Sequence, residues 1–413
     1  MSATFEIVRL GAQGDGVADT ETGQVFIPFA LPGETVTAAR VKDRADLIAV
    51  LSPSPERIDP ACRHFGVCGG CAIQHLEERA YLDWKRQKVV KALHAARIDV
   101  AVADIVPCAP HTRRRVTFSA RRTDQGAVFG FHRALSSEIV DISECPISLP
   151  EIVAAVPRLR VLAGMIGPPS QPFHMTVTAT ASGLDVAAQG SGQPGDGKRR
   201  LLSEFAVAQG FARLSVDGEI IIEPRKPTVA FADAAVILPP GAFLQATSQA
   251  EQAMADLVVS HLSRAKKVAD LFAGCGSFSL RLAKKAEVHA VEGDAAAVAA
   301  LDRAMRQASG LRRVTTERRD LFRRPLTFKE LKAFDGLVFD PPRAGAEDQS
   351  KQIARSDIPY VVAVSCNPGT LARDLAILVA GGYRVIGVTP IDQFLWSPHV
   401  EAVALLEKPR KRR

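Results

Sequence analysis

The sequence predicts an α/β fold in its C-terminal half, preceded by a small β-barrel and a β-rich middle segment. Three observations predict it. Residues 241–413 carry apolar runs at 267–272, 287–292, 334–340 and 360–366 with helical stretches between them, an alternation that gives a mostly parallel sheet covered on both faces. Residues 1–54 alternate short apolar strands with Gly-rich turns, as small barrels do. Residues 55–240 read as β-rich around a cysteine cluster.

Taken in order, the barrel strands are expected at Phe5–Arg9, Gln24–Pro28, Glu34–Ala38 and Leu47–Leu51. Ser52-Pro53-Ser54-Pro55 reads as a linker, because paired prolines stop regular pairing. A helical pattern follows from Arg79 to Ala96, with Leu82, Val89, Val90 and Leu93 on one side and Lys85, Arg86 and Lys88 on the other. Strands are expected at 116–120, 126–131, 173–179 and 219–223, and an exposed loop at 190–197. Pro239-Pro240 marks the change to αβ texture.

The 413 residues suit two or three domains at about 150 residues each. With 47% hydrophobic and 23% charged residues, the composition is globular. No apolar run reaches the length of a membrane span, and no secretory signal is evident at the N-terminus. Collagen-like, fibrous, membrane-spanning and small disulfide-stapled classes are excluded. The net charge of +7 suits a polyanionic partner. Arg113 to Arg133 holds six Arg and one Asp, and the tail from Lys408 to Arg413 is almost purely basic. Phe118, Phe129 and Phe131 interleave the first of these regions. It reads either as an RNA-facing sheet whose rings stack on bases or as a solvated basic face over core phenylalanines.

An odd count of seven cysteines without a signal suggests reduced thiols in the cytoplasm. Cys62, Cys68 and Cys71, with distant Cys145, form a set with C-x5-C-x2-C spacing that suits zinc or an iron–sulfur cluster about equally. The C-x3-C-x2-C spacing of radical S-adenosylmethionine enzymes is absent.

Four further motifs carry chemistry. Asp270-Leu271-Phe272-Ala273-Gly274-Cys275-Gly276-Ser277 follows a strand and opens a helix, and Glu292 ends the next strand about twenty residues on. Together they point to an adenosine-type ligand, with Glu292 placed for ribose hydroxyls. No Lys-Ser/Thr follows the glycines, which excludes a P-loop. Asp340-Pro341-Pro342-Arg343 ends a strand and exposes Asp340 at the sheet edge. Ser365-Cys366-Asn367-Pro368-Gly369 ends the neighbouring strand, so Cys366 is expected beside Asp340 as a nucleophile, rather than as an inert buried thiol. His399-Val400-Glu401 opens the last apolar strand. Alone, Glu401 is a surface acid; near a cleft it is a general base.

DLFAGCGSFSL, FDPPRAGA, SCNPGTLARD and HVEAVALLEK, in this order, resemble the RNA uracil-5-methyltransferase family, most closely its branch acting on 23S ribosomal RNA. The resemblance covers nearly the whole chain. It implies a Rossmann-like class I methyltransferase domain at 241–413, a TRAM/OB-like RNA-binding barrel at 1–54, and a central domain at 55–240. That central domain would carry a [4Fe-4S] cluster on Cys62, Cys68, Cys71 and Cys145. It implies S-adenosylmethionine as methyl donor, held by Gln245, Phe272, Ser277, Glu292, Asp320 and Asp340, with Cys366 as nucleophile and Glu401 as base. Ser277 stands where the family often has Asn, and Ala246-Thr247 departs from the family pattern after Gln245. The expected partner is 23S ribosomal RNA with its target uridine flipped out. The chain is expected to be monomeric and cytoplasmic, with no membrane partner. The alternatives are methylation of tRNA, or a non-catalytic RNA-binding or redox-sensing iron–sulfur protein.

Overall fold

The computed structural model describes residues 2–167 and 171–409. Arg410–Arg413, most of the basic tail, lie outside the described residues. Among the described residues no helix is long and apolar enough to cross a membrane.

The first six strands are β1 (Ser2–Glu6), β2 (Arg9–Leu10), β3 (Gly16–Thr20), β4 (Gly23–Ile27), β5 (Thr35–Val41) and β6 (Arg44–Ser52). They form one sheet in the order β1-β5-β6-β4-β3-β2. Phe5, Ala18, Val25, Ile27, Val36 and Ala38 share one small core. β3 lies where the sequence suggests only a Gly-rich turn. Gly16 is there for closeness: a Cβ on it would stand 2.7 Å from the Ala30 carbonyl oxygen.

Helix α1 (Glu78–Ala95) starts where the Glu77 carboxylate accepts the Ala80 N–H at 3.1 Å, a side-chain cap on an otherwise unpaired donor. Its position and its apolar face match the sequence pattern, but its polar face does not. Lys85, expected on the solvated side, is fully buried, and its Nζ donates to Asp392 Oδ1 at 2.5 Å. Val89 and Leu93 join the core of the C-terminal sheet, not of the middle segment.

The middle sheet contains β7 (Arg115–Thr123), β8 (Gly126–His132), β9 (Ile139–Asp141), β10 (Pro172–Thr180), β11 (Gly183–Gln189), β12 (Arg213–Val216) and β13 (Glu219–Ile222). Its order is β13-β12-β11-β10-β7-β8-β9. Two helices absent from the sequence reading cover it, α2 (Pro150–Ile166) and α3 (Asp196–Ala208). The first of these buries Ile152, Val156, Leu159 and Ala163 at helical spacing despite Pro157 within it. Of the two readings of this sheet, base stacking on its phenylalanines is overturned and core phenylalanines hold: Phe118 and Phe129 are core residues and Phe131 packs half-buried against them. Strand alternation turns these rings inward.

After the hairpin β14 (Thr228–Phe231) and β15 (Ala234–Ile237) comes α4 (Ser248–His261). The αβ half then runs β16 (Lys267–Leu271), α5 (Ser279–Leu282), β17 (Glu287–Glu292), α6 (Ala295–Gln307), β18 (Val314–Arg318) and α7 (Phe328–Leu331). It continues with β19 (Gly336–Phe339), α8 (Glu347–Ala354), β20 (Tyr360–Ser365), α9 (Pro368–Ala380), β21 (Arg384–Ile391) and β22 (Glu401–Glu407). The sheet order is β18-β17-β16-β19-β20-β22-β21. All neighbours pair in parallel except β22, which is antiparallel to both β20 and β21. Its reversal is what matters for the site. The head of β22 lies at the same rim as the tails of the other strands, with Ala402 opposite Ser365 and Glu401 opposite Ile391.

Candidate active site

Most strands of the αβ sheet deliver a polar group to that rim. The turn after β16 starts with Phe272, held at φ +60°, a conformation that a non-Gly residue adopts at a cost and that clusters at functional sites. Gly276 in the same turn is required by contact as well as by its φ of +92°: a Cβ there would lie 2.4 Å from Leu301 Cδ1. β17 ends in Glu292, whose carboxylate accepts the N–H groups of Gly274 at 2.9 Å and Asp294 at 2.8 Å. Beyond β18, Asp320 Oδ1 accepts from Phe322 N at 3.0 Å, and the Phe322 ring lies 5.4 Å from that of Phe272.

A single cavity of about 560 Å³ collects these groups. Gln245, Phe272, Ser277, Glu292, Asp320, Asp340, Cys366 and Glu401 all line it. Asp340 follows β19 and Cys366 follows the adjacent β20, so the expected neighbourhood of the acid and the thiol is present.

The deepest part of the cavity is a chain of hydrogen bonds. Gln245 Nε2 donates to Asp340 Oδ2 at 3.0 Å. Gln393 Nε2 donates to Gln245 Oε1 at 2.8 Å and to Glu401 Oε2 at 2.6 Å. Gln393 Oε1 accepts from Ala246 N at 3.0 Å, which fixes the way the amide points. Glu401 Oε1, by contrast, is buried without a hydrogen-bond partner. Gln393 was not found from the sequence. It sits in an irregular segment after β21, where only its place eight residues before Glu401 could have singled it out.

Three ionisable groups shape one another's titration here, Asp340 and Glu401 most closely. Burial, reinforced by Asp340, pushes the Glu401 carboxyl up to about 8. Burial pushes Asp340 up to about 7, opposed by the Gln245 hydrogen bond. Burial and the two carboxylates push the Cys366 thiol up to about 11, partly offset by Arg343. The site is short of positive charge.

The basic region of the middle segment turns partly inward. Arg114 Nη2 donates to Glu251 Oε2 at 2.5 Å, and Arg281 Nη2 holds the other oxygen at 2.8 Å. Arg115 Nε donates to the Ala242 carbonyl at 3.1 Å. These arginines brace the wall of the cavity, whereas Arg121, Arg122 and Arg133 remain exposed.

Cys62, Cys68, Cys71 and Cys145 line another cavity, of about 320 Å³. Burial raises the thiols of Cys62 and Cys68, and that of Cys71 to about 12, and each is raised further by Cys145 nearby. Among the described residues no three His, Cys, Asp or Glu side chains stand closely enough to hold a metal ion as placed. The four thiols thus converge on one space without forming a closed cage.

The chain is similar to known proteins along its length. The tRNA (uracil-5-)-methyltransferase family matches residues 228–409. A protein of Mesorhizobium japonicum described as an uncharacterised RNA methyltransferase is 70% identical over 413 residues, the whole of both chains. The 23S rRNA (uracil(1939)-C(5))-methyltransferase RlmD of Halomonas elongata is 35% identical, over 98% of this chain and 89% of that one. The crystal structure of Pyrococcus abyssi tRNA (uracil-54, C5)-methyltransferase with S-adenosyl-L-homocysteine has a TM-score of 0.76 at 25% identity, covering 98% of this chain and 99% of that one. The chain belongs to the RNA uracil-5-methyltransferase family.

Proposed function

We propose that this protein transfers a methyl group from S-adenosylmethionine to C5 of a specific uridine in 23S ribosomal RNA. The observation that carries the reading is the convergence of Cys366, Asp340, Glu401 and Gln245 on one cavity at the sheet rim. The similarity to RlmD favours ribosomal RNA. The structural similarity to an enzyme acting on tRNA supports tRNA as the second reading.

The residues fit the methyl donor. Glu292 would hold ribose hydroxyls, Asp320 and Phe272 would flank the adenine, and Ser277, Gln245 and Asp340 would complete the walls. The bound donor supplies an electrophilic methyl carbon on a sulfonium and brings positive charge to the carboxylates.

The rest is the work of the chain and the uracil. Cys366, as thiolate, adds to C6 of the uracil, and the electron pair of the C5–C6 bond becomes an enolate centred on C5. C5 takes the methyl group, and the electron pair of the broken sulfur–methyl bond stays on the donor's sulfur, which would leave as a neutral thioether. Glu401, with one oxygen free of partners, removes the C5 proton. The C5–H pair re-forms the double bond and expels the Cys366 sulfur. Gln245 and Gln393 keep the two carboxylates apart and oriented. The base must leave its stack to reach this cavity.

Cys62, Cys68, Cys71 and Cys145 would hold the [4Fe-4S] cluster that the family resemblance implies only with their side chains drawn closer than they stand here; four cysteines lining one cavity are the soft donor set that such a cluster takes. No step of methyl transfer runs through it. Anaerobic preparation should yield iron and sulfide; zinc in their place would overturn this assignment.

The deciding experiment is mass-mapping of 5-methyluridine in ribosomal and transfer RNA from cells with and without the gene. Loss of one site in 23S rRNA is expected. Loss confined to tRNA would establish the second reading, and no loss in either would overturn both.

A further inference from the structure

Cys366 belongs to two cavities. A second space of about 470 Å³ lies beside the first, and the two share only Cys366 and Arg343. Four distant parts of the chain build most of it: the turn after β2 at Gly11–Gln13, the α1 side chains Trp84, Lys88 and Lys91, the rim around Asn367, and Pro398–Val400 before β22.

Its charge is one-sided. Lys88, Lys91 and Arg343 line it, and among its described lining residues there is no carboxylate. Lys88 is already committed. Its Nζ donates to the carbonyls of Ala12 and Pro398 and lies 4.7 Å from the centroid of the Trp84 ring. It joins the first sheet, α1 and the segment before β22. Among the described residues the Arg343 guanidinium makes one hydrogen bond, from Nη2 to His399 Nδ1 at 3.2 Å, which leaves most of its five donors. Lys91 is exposed. Cations gathered around one space repel each other, and a polyanion relieves that repulsion.

Connectivity gives the cavity a use. A uracil at Cys366 is attached to a ribose and two phosphates. The first cavity must also take the methyl donor, so the strand has to leave past Cys366, and the second cavity is the space there. We infer that it holds the nucleotide next to the target uridine, with its phosphate between Lys91 and Arg343 and its base against the half-buried ring of Trp84. Stacking on an aromatic face tolerates any base, so this subsite grips the strand without reading its sequence. The inference rests on the reading of Cys366 as the nucleophile.

The test uses the full-length protein, S-adenosylmethionine, and 23S rRNA or tRNA transcripts carrying 5-fluorouridine, which traps the covalent adduct. Wild-type protein identifies the RNA to use. Lys91→Glu and Trp84→Ala should each raise the RNA concentration for half-maximal trapping about tenfold, with binding of S-adenosylmethionine unchanged by calorimetry. Lys91→Ala should make the log–log salt dependence of RNA binding shallower by about 0.7. Trp84→Phe should behave as wild type and guards against misfolding of the alanine variant; Lys91, being exposed, has no such difficulty. Wild-type half-saturation and salt slope in the Lys91 variants would overturn the subsite while leaving the function intact. Absence of an adduct with wild-type protein on both RNAs would instead remove the nucleophile reading, and the subsite with it.

Discussion

Gln393 Nε2 donates to Glu401 Oε2 at 2.6 Å while the same nitrogen donates to Gln245 Oε1 at 2.8 Å. One amide therefore ties the proposed base to the residue that holds Asp340. A hydrogen bond to a carboxylate favours its charged form, so Gln393 works against the burial that keeps Glu401 protonated. Gln393→Met should raise the Glu401 pKa further. The acid limb of the pH–rate profile should then move to higher pH and turnover at neutral pH should fall about tenfold, with donor binding little changed. An unmoved acid limb would mean that Gln393 only packs.

In the proposed mechanism Cys366 and Glu401 serve two separate halves of the reaction. Cys366→Ser should lower turnover by at least about a thousandfold and form no adduct with RNA. Glu401→Gln should still allow addition and methyl transfer but not loss of the C5 proton. A covalent, already methylated RNA–protein species should accumulate, and denaturing gels with mass spectrometry of the Cys366 peptide would reveal it. An unmethylated adduct would place Glu401 before methyl transfer rather than after it.

Glu401 should also cost stability. In the folded chain its carboxyl sits at about 8, whereas an unfolded Glu titrates near about 4.3. Below that lower value both states are protonated and nothing is lost. Between the two values the unfolded chain releases a proton that the folded chain keeps, so stability falls as pH rises, and the full cost is reached above about 8. Glu401→Gln removes the titration. Its melting temperature should exceed that of the wild type by a margin that grows from pH 5 to about pH 8, a loss of function that stabilises. A constant margin across that range would contradict the linkage.

Lys85 and Asp392, both fully buried, form the anchor behind this network. Tyr81 Oη donates to the other oxygen of Asp392 at 2.6 Å, and Lys85 Nζ also reaches the Phe394 carbonyl. Asp392 and Phe394 flank Gln393, so α1 clamps the segment that orients the base. Lys85→Met leaves a buried carboxylate without its cation and should destabilise by about 3–5 kcal/mol. Adding Asp392→Leu should recover most of that stability but not the turnover. Recovery of both would show that the clamp serves folding alone.

The meeting of Asp340, Cys366 and Glu401 at one rim was legible in the sequence because the first two follow strands and the third opens one, and such boundaries are marked by the glycines and prolines of Phe272–Ser277, Pro341-Pro342 and Pro368. Parallel pairing then brings such ends together whatever lies between them. Gln393 and the Lys85–Asp392 pair left no mark, because they act across more than 300 residues of chain in the case of Lys85 and carry no local periodicity. Lys85 was placed with Arg86 and Lys88 on a polar face; a buried cation is indistinguishable from a solvated one until its partner is known. Phe118 and Phe129 left two readings open, and the one that puts them in the core holds. Arginines flanking a core strand look like an RNA surface, yet Arg114 and Arg115 turn to Glu251 and a backbone carbonyl.

The charge balance at Cys366 leads to the last prediction. The thiol is held at about 11 by burial and by Glu401 and Asp340, so the site without a bound cation contains little thiolate at neutral pH. The positive charge of S-adenosylmethionine against Asp340 would oppose that effect, and an opposite charge within a few ångströms lowers a pKa by about one to three units. S-adenosylhomocysteine has nearly the same shape without the sulfonium charge. In the absence of RNA, the pH of half-maximal alkylation of Cys366 by iodoacetamide, followed by peptide mass spectrometry, should fall with S-adenosylmethionine and much less with S-adenosylhomocysteine. Slower alkylation from crowding would affect both ligands alike and lower the rate without moving the midpoint. Equal midpoints with the two ligands would show that the thiolate is generated by the incoming RNA and not by the methyl donor.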